Sequence, residues 1–168
     1  MAAVDYFLKI DAIAGESHDL KFKDYIVLES FNWGEANSGH AIASATGGAG
    51  AGRVSFQDFH FTSKISKASP LLMQACASGK HIVNAILIGL RTANTETNAG
   101  QFQFLKYTLT DVLVSSVQEG GTAGDALPVD QVSLNFIKIE VEYKEQKPDG
   151  ALGATTTFAW NLRANAKI

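Results

Sequence analysis

Apolar and polar residues alternate with a period of two along most of the chain. In the first such segment the apolar positions are Val4, Tyr6, Leu8 and Ile10. They share one face of a predicted β-strand, because successive side chains of a strand point to opposite sides. The same pattern predicts further strands at about residues 25–33, 53–65, 81–91, 102–117, 132–143 and 155–162. Most connections contain Gly, Asn, Asp or Ser, which favour turns. Such a series of strands with little helix is typical of an antiparallel sandwich or barrel.

One segment has helical rather than strand periodicity. Ser69 and Pro70 are the residue types preferred for an N-cap and for the first helical position. The apolar residues that follow, at helical spacing, are Leu71, Leu72, Ala75 and Cys76. Gly79 is a typical helix terminator. The sequence therefore predicts one α-helix at about 69–79, which plugs an open end of the barrel or covers a sheet face.

The alternation changes face within several predicted strands. Ile26 and Leu28 share one parity, whereas Phe31 and Trp33 share the other. One extra residue in a strand, a β-bulge, has this effect, and repeated bulges curve a sheet towards closure. The alternative is that both faces are covered over part of each strand. That interpretation implies a partner, because a chain of this size has few elements with which to cover both faces.

Two segments are rich in glycine and small polar residues, at 34–52 and 118–126. Such segments bury too little surface to order themselves, and a connection of about 18 residues is long for a compact domain. The segment at 34–52 is therefore expected to be held against something outside its own domain. Together, the patterns predict a mainly β protein: a curved antiparallel β-barrel or sandwich with one α-helix at about 69–79 and a long extended loop at about 34–52.

Length and composition limit the possible functions. The 168 residues suit one domain, spanning 1–168. Only 18% of residues are charged, which suggests that a partner covers part of the surface. The net charge of −3, with no basic run, argues against nucleic-acid binding. Apolar runs such as Ile86–Ile88 are far too short to span a bilayer, so no membrane insertion is expected.

The first residues, Met1–Asp5, lack the basic and long apolar segments of a secretory signal. We therefore expect the protein to start in the cytoplasm. If it leaves the cell, we expect a route that reads no cleaved leader.

The segments that resemble catalytic or binding motifs lack the necessary context. Gly48–Gly52 looks like a phosphate-binding loop, but a strand follows it where such a loop needs a helix. Asp58 and His60 share a strand face and could form a triad with a nearby serine, although spacing alone is weak support. The Glu140/Glu142 pair fits solvated surface charge better than a glycosidase dyad.

Metal and thiol chemistry are equally poorly supported. The histidines are His18, His40, His60 and His81, and none has a metal-ligating neighbour at the usual spacing. The sequence leaves open a metal site whose ligands come from distant strands. The single cysteine, Cys76, lies in an apolar helical context and is interpreted as a small buried hydrophobe. No catalytic residue, cofactor or metal is predicted.

Several short motifs occur in an order that resembles a known family. They are Asp5–Ile10, Gly15–Ser17, Ser30–Gly34, the glycine-rich 47–52, Ser69–Leu72, Ala75–Lys80, Val112–Ser116, Val132–Phe136, and Tyr143 with Gln146. Each alone is weak, but the ordered set covers nearly the whole chain. It resembles the haemolysin-coregulated protein (Hcp) family, the tube proteins of bacterial type VI secretion systems. Phe31 departs from that pattern, since the family often has Trp there, and so does the charged Glu29 just before it.

The resemblance implies a curved β-barrel with one helix, six copies of which form a ring. It further implies that rings stack into a tube, which is sheathed, fired outward with a spike at its tip, and carries small effectors in its lumen. It implies no catalysis and no metal.

Two expectations about particular residues follow. We expect Ser30 and Asn32 to point into the ring lumen, because they alternate with Phe31 and Trp33, which should face the core. We also expect the 34–52 loop to reach a neighbouring subunit, in the next ring. Its candidate contact residues are Gly39, His40, Gly47, Gly48, Gly50 and Gly52.

Two other classes of protein remain as alternatives. A surface hydrolase on a β-sandwich would need a convergent polar pocket. A monomeric β-sandwich that binds a small ligand would need polar inward positions, whereas the inward parity is filled with Phe, Leu, Ile and Val. Mass measurement under native conditions distinguishes both alternatives from the tube protein, which should be a hexamer.

Overall fold

The fold consists of twelve strands and one helix in the part of the chain described by a computed structural model, residues 3–37, 53–95, 98–124 and 126–168. The elements are β1 (Val4–Ile10), β2 (Ile26–Leu28), β3 (Ser30–Asn32), β4 (Glu35–Asn37), β5 (Val54–Phe56), β6 (Phe59–Lys64), α1 (Ala68–Ser78), β7 (His81–Thr95), β8 (Asn98–Gly120), β9 (Val129–Asn135), β10 (Lys138–Gln146), β11 (Leu152–Asn161) and β12 (Ala166–Lys167).

The long strand β8 joins two parts of one antiparallel sheet. Its first part pairs with β7 on one side and with β10 on the other, giving the path β12-β11-β10-β8-β7-β1-β2. Its last part, Leu113–Gly120, pairs with β9, which continues through β6 to β3. β4 and β5 form a separate two-stranded sheet. The predicted mainly β fold with one helix is confirmed, with curved sheets that stay open rather than close into a barrel.

The predicted changes of face mark places where the chain passes from one strand partner to another. The segments predicted as single strands at 25–33, 53–65 and 132–143 are each two strands in the structure. At Glu29, between β2 and β3, the backbone N–H donates to Thr62 O at 2.8 Å, and the chain leaves β1 for β6. Bulges account for irregularities elsewhere, and both lie in β8: Phe104 is the extra residue opposite Gly89/Leu90 of β7, and Ser115 is the extra residue opposite β9.

The main core lies between the curved sheet and α1. Its fully buried large side chains include Leu8, Phe59, Phe61, Leu72, Ile82, Leu87, Leu109, Leu134 and Ile139. The helix contributes Ala68, Leu72 and Ala75 to this cluster. Cys76 is half-buried and packs against it. The helix therefore covers a sheet face with Leu72 and Ala75 of the predicted stripe, whereas Leu71 is exposed.

The helix begins one residue earlier than predicted, and Ser69 is not its N-cap. The N-cap position is Lys67, whose side chain makes no capping hydrogen bond. Ser66 Oγ accepts the Ala68 N–H at 3.2 Å instead, while Ser69 Oγ donates to buried Asp130. Ser69 is therefore used for a tertiary contact. Gly79 ends the helix as predicted, with a φ of 63° that favours glycine.

A second, smaller core covers the outer face of β1 and β7. Phe7, Ile88 and Leu90 are buried there under Phe22 and Tyr25 of the segment that precedes β2. Apolar residues on both faces of β7 therefore do not by themselves require a partner, because the chain's own residues cover much of the second face. This corrects the interpretation that such strands imply another protein.

A polar sheet face as the candidate functional site

Polar side chains form two parallel rows across β3, β6, β9 and β8. In the first row Asn32 lies opposite His60, His60 opposite Ser133, and Ser133 opposite Ser116. The second row consists of Ser30, Thr62, Gln131 and Gln118. These eight residues, called the polar face below, line a concave pocket of about 420 Å³. Phe61 and Val132 also contribute to its lining.

Hydrogen bonds link the polar face across strands. Ser30 Oγ and Thr62 Oγ1 share a hydrogen bond of 2.6 Å. His60 Nδ1 lies 2.6 Å from Ser133 Oγ, which also accepts from Ser116 Oγ at 2.9 Å. Because these side chains are hydrogen-bonded to side chains of neighbouring strands, β6 and β9 fix their positions on the surface of the pocket.

The intervening residues of the same strands point to the core, because side chains alternate along a strand. Phe31 is half-buried, with its ring edge-on to Tyr6 at 5.0 Å and stacked on Phe59 at 5.7 Å. Trp33 also packs against the core and stacks on Phe56 at 6.1 Å. Each of the four strands thus has one apolar face and one polar face in this region.

Among the candidate residues, Ser30 and Asn32 are both exposed and lie on the polar face. Sequence reasoning missed the residues that join them, namely Thr62, Ser116, Gln118, Gln131 and Ser133. Their alternation with Phe61 and Val132 was visible in the sequence. The register that brings four strands side by side was not, because it depends on pairings between distant segments.

The polar face contains no Asp, Glu, Lys or Arg, and His60 is its one titratable side chain. The nearby acid, Asp58, accepts from Ser115 Oγ at 2.7 Å and from Asn135 Nδ2 at 3.1 Å. His60 bonds to Ser133 instead. The suggested Asp58–His60–serine triad therefore has its members in separate hydrogen-bond groups.

The candidate contact residues Gly39, His40, Gly47, Gly48, Gly50 and Gly52 lie outside the described residues. The described ends of that loop differ from the prediction, because residues 35–37 form β4. This strand pairs with β5, Glu35 opposite Phe56 and Asn37 opposite Val54. The described residues on either side of this segment therefore form a two-stranded antiparallel sheet.

The other candidates for chemistry are scattered. No group of three or more His, Cys, Asp or Glu that could hold a metal occurs in the part of the chain that the structure describes. His81 Nε2 lies 3.0 Å from Asp111 Oδ1 at the surface, and Glu142 pairs with Lys106 at 3.8 Å. Within the described ranges no helix is both long enough and apolar enough to cross a membrane.

Residues 7–143 match the family model described as type VI secretion system effector, Hcp. Over 166 residues the chain is 42% identical to protein hcp1 of Pseudomonas aeruginosa, covering 98% of this chain and 99% of that protein. The crystal structure of Hcp1 from Salmonella typhimurium is 35% identical and superposes with a TM-score of 0.76 over 100% of both chains. A solved type six secretion system protein superposes with a TM-score of 0.88 at 29% identity, covering 99% of this chain and 100% of that one.

Proposed function

Since this chain belongs to the Hcp family of type VI secretion proteins, we propose that it is a structural tube component of such a system and not an enzyme. Six copies form a ring, rings stack into a tube, and the lumen carries small effectors. The sheath and spike proteins of the system are its other partners. The protein is made in the cytoplasm and leaves the cell with the tube. Residues 1–168 act as one domain, because the main core draws on strands from β1 to β10.

The observation that carries this proposal is the polar face. The wall of a transport channel must stay wet and must not hold its cargo by strong attraction. Hydroxyl and amide side chains meet both requirements. Apolar side chains would bind apolar surfaces of the cargo, and charged side chains would bind cargo of opposite charge. On the opposite side of the same strands, Phe59, Phe61 and Leu134 are fully buried. The polar face is therefore available for the lumen, with Ser30 and Asn32 near its edge on β3.

Ring formation is supported by two different edges of the sheet. At one end of the strand path, Val27 of β2 is 51% exposed and lines an apolar groove with Leu127. Near the other end, β12 pairs with Trp160 and Asn161 of β11, and Leu152 at the start of β11 is exposed. A head-to-tail ring needs two unlike patches on each subunit, and it closes with six members when each contact rotates by about 60°. We further propose that the loop through Gly39 and Gly52 contacts the next ring.

The native mass of the purified protein tests the ring. We expect a species of about 107 kDa, six times the 17.9 kDa chain. Val27→Asp should shift the population to monomer, because it buries a charge at the proposed contact. Val83→Asp is the matched control, since Val83 is 57% exposed but lies in β7, inside the sheet between β1 and β8.

A compact monomer at every protein concentration would contradict the ring and would favour a single-subunit binding module or hydrolase. Equal behaviour of the two aspartate variants would mean that the β2 edge is not the contact.

A bulky residue on the polar face should impair cargo retention. Asn32→Trp adds an indole to the exposed edge of the pocket, so effectors that co-purify with tagged rings should fall about tenfold or more, which corresponds to ~1.4 kcal/mol. The rings should persist. Leu20→Trp, at a fully exposed position outside the pocket, should leave retention unchanged. Loss of folding in Asn32→Trp would show that the two faces are reversed.

A further inference from the structure

Asp130 is a buried carboxylate in β9, on the core side of the strand. Only 1% of its surface is exposed. Its Oδ2 accepts a hydrogen bond from Ser69 Oγ in the first turn of α1. Its Oδ1 is also buried, and no ordinary donor among the described residues reaches that oxygen. A buried acceptor without a donor lowers the stability of the folded state, so a donor to this oxygen is expected.

The elements packed around Asp130 supply no cation for it. The residue opposite it on β6 is Ser63, which is buried and does not titrate. The nearby lysines are engaged elsewhere, Lys64 with Glu29 at 3.7 Å and Lys67 with Asp24 at 3.5 Å. From α1 the facing residue is Ser69.

The remaining neighbour is itself an acid. Glu119 lies directly opposite Asp130 in the β8–β9 register. Glu119 is itself exposed, and hydrogen bonding to Asp130 raises its pKa above the ordinary value, with desolvation and the charge of Asp130 adding to the rise. Two ionised carboxylates have no hydrogen to share, so they can be hydrogen-bonded only if one of them is protonated.

We propose that Glu119 and Asp130 share one proton, which supplies the donor that Asp130 Oδ1 lacks, so that the two acids fasten the end of the β8–β9 pair to the start of α1. This carboxyl clasp runs from Glu119 through Asp130 to Ser69. It opens when the pair loses the shared proton, because two adjacent carboxylates then repel each other and Oδ1 again lacks a donor. The connection between β8 and β9 is consequently held more tightly in acid than in base.

Whether the folded state gains or loses stability as the pH rises follows from the raised pKa of Glu119. The folded state binds the Glu119 proton more tightly than the unfolded state does, because the folded pKa is the higher of the two. The stabilisation is therefore complete below the ordinary pKa of glutamate and is lost as the pH rises through the raised value.

Glu119→Gln tests the clasp, because an amide donates to Asp130 at every pH and mimics the protonated acid. Urea unfolding at one fixed protein concentration should give equal midpoints for the wild type and Glu119→Gln at about pH 4. At about pH 8 the variant should unfold at a midpoint higher by about 0.3 M urea. Glu140→Gln is the control, since Glu140 is exposed on β10 opposite Ala159 and Thr108. It should follow the wild type at both pH values.

Amide hydrogen exchange localises the effect. At about pH 8 the amides of residues 119–120 and 129–130 should exchange more slowly in Glu119→Gln than in the wild type. A constant difference in midpoint across the pH range would overturn the clasp. So would a gain of stability in the wild type at about pH 8 when millimolar Ca²⁺ replaces EDTA, because a cation would then join the two acids.

Discussion

Replacing Phe59 with alanine is expected to lower the free energy of unfolding by about 3–5 kcal/mol. Phe59 is fully buried at the start of β6. Its ring stacks on Phe31 at 5.7 Å and lies 6.1 Å from Tyr107. Alanine would leave a cavity among aromatic rings that cannot collapse into it easily. Urea denaturation followed by fluorescence measures the loss.

The matched control for this prediction is Leu20→Ala. Leu20 is 100% exposed, so removing its side chain should change the free energy of unfolding by no more than about 0.5 kcal/mol. Because Phe59 lies next to His60, Phe59→Ala should also disturb the polar face, and cargo retention should fall with stability. Equal losses in the two variants would show that the aromatic cluster contributes little to folding.

The second large effect is expected at Gly15. This residue is buried where the segment 15–17 runs beside residues 24–25, with Gly15 N donating to Asp24 O at 2.8 Å. An added Cβ would overlap Tyr25 O and would lie 2.6 Å from Ile26 N. Both are backbone atoms, so the two backbone segments themselves must separate. Gly15→Ala should cost about 1–3 kcal/mol or more, measured by urea unfolding.

Gly100→Ala serves as the control for that substitution. A Cβ at Gly100 meets nothing within 4 Å, so its stability should stay close to that of the wild type. Gly15→Ala should also expose the second core, because Tyr25 covers it. Binding of a hydrophobic dye at neutral pH would report this. If Gly15→Ala unfolds at the same urea concentration as Gly100→Ala, the close backbone approach does not exist in solution.

Local patterns located most of the elements of this fold, although three predicted strands are each two strands in the structure and β4 and β12 were not predicted. The alternation around Leu8 identified β1, and the terminator Gly79 identified the end of α1 within one residue. Both features depend on residues that are close together in the sequence, so the local pattern alone is enough to predict them. The same alternation indicated that Ser30 and Asn32 share a face.

Pairings between distant segments could not be predicted. The alternation places Asp130 on the core side of β9, which marks it as unusual, but its partners Ser69 and Glu119 are 61 and 11 residues away. The change of face indicated an irregularity near Glu29, but not the new partner, because the pairing of β3 with distant β6 appears only in the structure. Tertiary contacts decide both features.

The hydroxyl of Ser133 fixes where the hydrogen of neutral His60 resides. Because Ser116 donates to Ser133 Oγ, the hydrogen of Ser133 is left for His60 Nδ1, 2.6 Å away. Nδ1 then acts as an acceptor, and the imidazole must keep its own hydrogen on Nε2. Ser116, Ser133 and His60 thus form one continuous chain of hydrogen bonds across β8, β9 and β6, and this chain sets the tautomer of the ring.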